Sequence, residues 1–197
     1  PNRSLNMTMG VFGGLVLGVV LAFFFEYFDD RIKNPDEIKA YLGVPVLGLL
    51  PVVGGLKADD SYPMLNGPAW PKLNEAFRTL RTNVIFSSSE QGCRSVVVTS
   101  TGPNEGKTLV SANFSISLAE AGLRVLLIDA DMRKPQQHKV FEVDQEPGLS
   151  NLIVGGVKGS DVVRKTSISG LWVLPAGRIP PNPAELLGSS RFLEFFR

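Results

Sequence analysis

Cysteine and histidine are nearly absent: Cys93 and His138 each stand alone in a chain of 197 residues. A single cysteine cannot close an intrachain disulfide, and its place just before an apolar run suits a reducing cytoplasm. Charge of either sign is in no excess, with a net of +1 at pH 7. Nothing in that balance suggests a nucleic-acid surface. Internal repeats and low-complexity tracts are missing as well. His138, beside Lys139 in a polar stretch, reads as surface, and Lys134, Arg164 and Lys165 read as solvated basic residues. Tyrosine is scarce, confined to Tyr27, Tyr41 and Tyr62.

Charge is missing altogether from residues 7–25, a run rich in Val, Leu, Phe and Gly. Its length is about what an α-helix needs to cross the ~30 Å apolar core of a bilayer. A signal peptide would be shorter and followed by a small-residue cleavage site, and only Arg3 precedes this run. Arg31, Lys33 and Lys39 follow it, so the excess of positive charge places the downstream chain in the cytoplasm. Tyr27 and Phe28 fall at the membrane interface, and Gly10, Gly14 and Gly18 recur at a spacing that lets another helix approach. After the span, Asn34, Pro35, Asp36 and Glu37 signal a helix start and Gly43 its stop. Residues 44–51 read as a brief strand or extended segment, and residues 52–71 as an aperiodic linker.

Residues 101–108, TGPNEGKT, carry the most specific chemistry. Residues 95–100 read as a buried parallel strand and 109–121 as a helix, with the loop between them. Gly102 and Gly106 permit backbone conformations that aim successive N–H groups at phosphate oxygens beside the helix N-terminus. Pro103 withdraws one such N–H, and Asn104 and Glu105 complete the turn. Lys107 supplies a mobile positive charge for the β- and γ-phosphates, and Thr108 a hydroxyl for Mg2+. The loop departs from the strict phosphate-binding pattern at Thr101, where the leading glycine would stand. A second apolar strand, residues 124–128, ends in Asp129 and Asp131, at the edge where open α/β sheets bind ligands. Paired acids of this kind also serve as turn or helix caps, but their place on the strand after the loop helix favours a metal-directed role.

These features, taken in order, resemble the bacterial tyrosine kinases of the polysaccharide co-polymerase, or chain-length determinant, family. Its phosphate loop matches residues 101–108, and its second motif, four apolar residues then Asp-x-Asp-x-Arg, matches Leu126, Leu127, Ile128, Asp129, Asp131 and Arg133. Its Glu-x-x-Arg-x-x-Arg motif is matched by Glu75, Arg78 and Arg81, three apart on an expected helix over residues 73–86. The PAGRIPPNPAELL segment, residues 175–187, and the juxtamembrane pattern around residues 32–48 are similar too. Partition and division-site ATPases share the fold, but their loop carries an additional lysine where this chain has Gly102.

The resemblance implies an α/β fold, a P-loop doubly wound parallel sheet preceded by one transmembrane helix. It implies residues 1–6 as a periplasmic remnant, 7–28 as the membrane helix, 29–71 as juxtamembrane segment and linker, and 72–197 as the kinase domain. A strand is expected at residues 171–174 and a helix over 190–197, with the Walker B strand and a tyrosine-rich tail lying beyond. The implied activity is ATP-dependent tyrosine autophosphorylation at the inner membrane. Lys107, Asp129 and Asp131 would be catalytic, and Thr108, Asp129 and Asp131 would hold Mg2+. Glu75, Arg78 and Arg81 would serve contacts in a ring-like homo-oligomer. Implied partners are the protein's own tail, the capsule or exopolysaccharide polymerisation and export machinery, and the lipid bilayer. A kinase-inactive ATP-binding scaffold and a membrane-tethered ATPase are the alternatives.

Overall fold

The computed structural model describes residues 2–28, 35–52, 71–87 and 94–195. Cys93, Tyr62, Asn34, Arg31, Lys33 and most of the expected linker lie outside them. The chain divides into two compact units, Pro1–Val46 and Leu47–Arg197.

In the first unit, helix α1, Arg3–Tyr27, runs 25 residues, about 37 Å at 1.5 Å per residue. It is the one helix among the described residues that is long and apolar enough to cross a membrane, with a mean hydropathy of 2.3 over its best window. None of its residues is buried. A helix that buries none of its apolar side chains in protein is suited to a lipid environment. Near its end the Phe24 and Phe28 rings meet at a tilt of 48°, their centroids 4.7 Å apart. Helix α2, Pro35–Leu42, places Asp36 and Glu37 in its first turn and Lys39 in its last, each complementing the helix dipole. Gly43 then takes φ 67°, and its N–H closes on the Lys39 carbonyl at 3.1 Å. Residues 44–51 form neither helix nor strand.

The second unit is built round a short sheet. Helix α3, Pro71–Ser87, and helix α4, Lys107–Glu120, precede strand β1, Val125–Ile128. Short helices α5, Gln137–Val140, α6, Leu149–Val154, and α7, Gly159–Val162, lead to strands β2, Arg164–Lys165, and β3, Leu171–Leu174. Helices α8, Pro183–Leu187, and α9, Ser190–Phe195, follow. The strand order is β1-β3-β2. β1 and β3 run parallel, pairing Val125 with Leu171 and Ile128 with Leu174, while β2 is antiparallel to β3. β2 was not foreseen: two basic residues carry no strand pattern, and Arg164 is held by the carbonyls of Asp161, Glu146 and Pro147 rather than solvated.

Amphipathic spacing explains how α3 and α4 meet. Leu73 and Phe77, four apart on α3, pack with Ala112, Phe114 and Ile116 of α4 and Leu127 of β1 in one core cluster. Truncating the fully buried Phe77 to Ala should cost about 3–5 kcal/mol. Leu50 packs against this cluster, and Asn83 donates to the Leu47 carbonyl at 2.8 Å. A second cluster gathers Met132, Leu149, Ile153, Val162, Leu174 and Ala176. It seats α6 against the exit of β3, where a Cβ on Gly148 would stand 2.3 Å from the Pro175 carbonyl oxygen. Only glycine fits so close an approach.

The expectation of a buried strand at residues 95–100 does not hold. The segment from Arg94 to Ser100 makes no ladder, and Val97 is 89% exposed. A β-branched run states a propensity, but a strand exists only through its neighbours. Among the described residues no strand pairs with this one.

Candidate functional site

The phosphate-binding loop owes its shape to two left-handed residues. Asn104 has φ 63° and Gly106 φ 88°, and α4 starts at once after the latter. Asparagine tolerates that region better than most side chains, and glycine is at ease there. The loop's charged groups are turned on the loop itself. Lys107 Nζ donates to Ser100 Oγ at 2.9 Å and to the Gly102 carbonyl at 3.3 Å. Glu105 accepts from the Thr101 hydroxyl at 2.9 Å. The Gly102 N–H, and after it that hydroxyl, hold the Glu105 carboxyl below its ordinary range although it is fully exposed.

The acid turn is differently made. Asp129 continues the ladder through its own N–H, bonded to the Leu174 carbonyl at 2.9 Å, which fixes it at the C-terminal edge of the sheet. Its side chain is 5% exposed and accepts three backbone N–H groups: Asp131 at 3.2 Å, Gln136 at 3.1 Å and Gln137 at 3.0 Å. Burial raises its pKa, and these bonds oppose the rise without cancelling it. Asp131 is exposed and accepts from the N–H groups of Arg133 at 3.2 Å and Lys134 at 3.0 Å, closing a local turn. Both acids therefore also act as caps.

Gln137 joins the two parts. Its backbone meets Asp129, and its Nε2 donates to Ser111 Oγ at 2.8 Å and to the Thr108 carbonyl at 3.3 Å, both in the first turns of α4. The start of α4 is thus tied to the Asp129 turn through the main-chain carbonyls of Lys107 and Thr108, while the Lys107 ammonium stays on Ser100 and Gly102. Sequence reasoning missed Gln137 and Ser111, since neither belongs to a motif and only tertiary contact reveals them. His138 is a correction: it is partly buried rather than surface, with Nδ1 enclosed and unpartnered. Its place on α5 explains this, and burial first, then Lys139, lowers its pKa against the pull of Asp129.

Of the three α3 residues singled out by spacing, Glu75 and Arg78 are exposed. Arg81 instead turns inward, its Nη1 donating to the Ser117 carbonyl at 2.7 Å. At that end of α4 the Ala121 N–H bonds to the Leu118 carbonyl, and a guanidinium on the last turn satisfies a carbonyl and the dipole together. In the PAGRIPPNPAELL segment, residues 175–177 are buried, and the Arg178 N–H reaches Asn151 Oδ1 at 3.3 Å.

A glycine-lined loop opening a helix, paired through one glutamine with acids at a strand's end, defines a P-loop nucleotide-binding domain. Residues 96–196 match the family model described as the CobQ/CobB/MinD/ParA nucleotide binding domain. The chain belongs to that family, in its bacterial tyrosine-kinase branch. It is 44% identical over 124 residues to a putative tyrosine-protein kinase CapB of Staphylococcus aureus, covering 63% of this chain and 54% of that protein. It is 32% identical to tyrosine-protein kinase ptk of Acinetobacter johnsonii, over 98% of this chain and 27% of the relative. Among solved structures it is similar to the kinase domain of Escherichia coli tyrosine kinase ETK, with TM-score 0.74 and 28% identity over 84% of this chain and 67% of that one. The chain thus spans about half of the first relative and about a quarter of the second.

The Thr108 hydroxyl and the Asp129 carboxylate are donors that would fit a hydrated magnesium ion. Among the described residues no group of three or more His, Cys, Asp or Glu side chains could cage a metal. One hydroxyl at Thr108 and one carboxylate at Asp129 are what a strongly hydrated cation takes when phosphates and water fill its other positions.

Proposed function

We propose that the chain is the nucleotide-handling part of a membrane-anchored, ATP-dependent protein-tyrosine autokinase. The observation that carries this reading is the link through Gln137 between the Gly-Lys-Thr loop and Asp129, in a chain whose relatives are named tyrosine-protein kinases. In the reaction, Lys107 exchanges its bonds to Ser100 and Gly102 for phosphate oxygens, joined by the loop N–H groups of residues 102–108. Thr108 and Asp129, with Asp131 nearby, would hold Mg2+, which would neutralise charge on the phosphates. A tyrosine oxygen bonds to the γ-phosphorus as the bond to the β,γ-bridging oxygen breaks, and ADP leaves with that oxygen. The phenolic proton passes to the exposed Asp131. Catalysis of this type rests on positioning and charge, which a preorganised loop supplies.

In this reading α1 spans the inner membrane and the domain from about Lys72 lies in the cytoplasm. The exposed Glu75 and Arg78 meet a second copy in a ring, with Arg81 bracing α3 from within. The acceptor tyrosines belong to the protein's own tail, and phosphorylation governs polysaccharide polymerisation and export. The test is transfer of label from [γ-32P]ATP in membranes bearing the protein from its native gene. Label on protein tyrosine, lost in Lys107→Met, is expected. Free phosphate alone identifies a tethered ATPase, and neither product identifies a scaffold.

A further inference from the structure

Gln137 is 4% exposed, and its partners fix which way its amide points. The Thr108 carbonyl can only accept, and the Ser111 hydroxyl donates to the Lys107 carbonyl at 2.8 Å, so both require the amide nitrogen opposite them. The amide oxygen Oε1 is then buried with no hydrogen-bond partner. Buried acceptors are seldom left this way unless a water, ion or ligand completes them.

We propose that Gln137 is a positioning residue for the cation, setting the spacing between Asp129 and the Thr108 end of α4. Its Oε1, enclosed in this structure, is the acceptor left over once Nε2 is committed to α4. This rests on the magnesium-nucleotide reading of the site. The side-chain requirement is narrow. Glutamate at 137 sets an oxygen against the Thr108 carbonyl, and methionine keeps the length but offers neither donor nor oxygen acceptor.

The test uses the full chain in lipid nanodiscs, with fluorescent mant-ADP titrated in Mg2+ and in EDTA, and thermal unfolding of the nucleotide-free protein alongside. Gln137→Met and Gln137→Glu are expected to weaken binding in Mg2+ by about tenfold or more, the usual scale for residues that orient a metal ligand. Binding in EDTA, carried by Lys107 and the loop, is expected to hold within about twofold. Ser111→Ala, which removes one of the two acceptors of Nε2, should give a smaller loss of the same kind. Equal losses in Mg2+ and EDTA, or a lowered unfolding temperature accounting for the whole loss, overturn the proposal. So does a magnesium dependence unchanged in every variant. Failure of the wild-type chain to bind mant-ADP in either condition overturns the site reading itself and this proposal with it.

Discussion

The phosphate loop and the acid turn are both polar, glycine- or aspartate-rich connections at the site, yet they are bonded in opposite ways. In the loop, Lys107 and Glu105 rest on neighbours within the loop or just before it, Ser100, Thr101 and Gly102, in exposed or half-buried positions. In the turn, Asp129 is buried and holds three backbone N–H groups from residues two to eight positions away. The loop's bonds can be traded for phosphate at little cost to the fold, whereas those of Asp129 are part of the fold. One region is built to exchange partners, and the other to hold position.

That contrast breaks most sharply in Lys107→Met. Nucleotide binding and tyrosine labelling should fall at least about a hundredfold, the scale for losing one charge-stabilising group, while the urea midpoint stays near that of wild type. Asp129→Ala should do the reverse first: leaving buried N–H groups unpaired destabilises by about 2–4 kcal/mol, read as a shift in the urea transition. Asp131→Ala removes two exposed turn bonds and should cost about 0.5 kcal/mol, so a loss comparable with that of Asp129 would contradict the division between the two acids.

The smallest effect concerns pH, and its sign differs between the regions. Asp129 has its pKa raised above 3.8 by burial, so the folded state binds its proton more tightly than the unfolded chain does. Its contribution is complete below 3.8 and is lost as pH rises through the native value. Glu105 is lowered from 4.5 by the Gly102 N–H and Thr101, so its contribution is present above 4.5 and lost as pH falls through its native value. Urea titrations of wild type, Asp129→Asn and Glu105→Gln across the acid range should show these opposite slopes. Slopes of the same sign would refute the assignment.

Legibility in the sequence followed the same divide. The loop, α4, β1 and β3 were readable because their signals are local: Gly-Lys-Thr at a helix start, and short apolar runs ending in Asp129 or at Leu174. Helices α1 and α3 were readable from length and spacing. The capping by Asp129 was the alternative that its pairing with Asp131 had offered, but the inward turn of Arg81 and the bridge through Gln137 were not readable, because each depends on a partner far along the chain. For Arg81 that partner is Ser117, 36 residues on. Residues 95–100 mark the other limit, a strand by composition that finds no neighbour among the described residues.

Amide hydrogen exchange of the full chain with and without Mg-ADP examines the contrast between yielding loop and fixed turn most directly. Amides of residues 102–108 should gain protection when the nucleotide binds, and those of Gln136 and Gln137, already bonded to Asp129, should be slow beforehand and change little. Unchanged loop amides, or protection appearing at Gln136 and Gln137 alone, would contradict it.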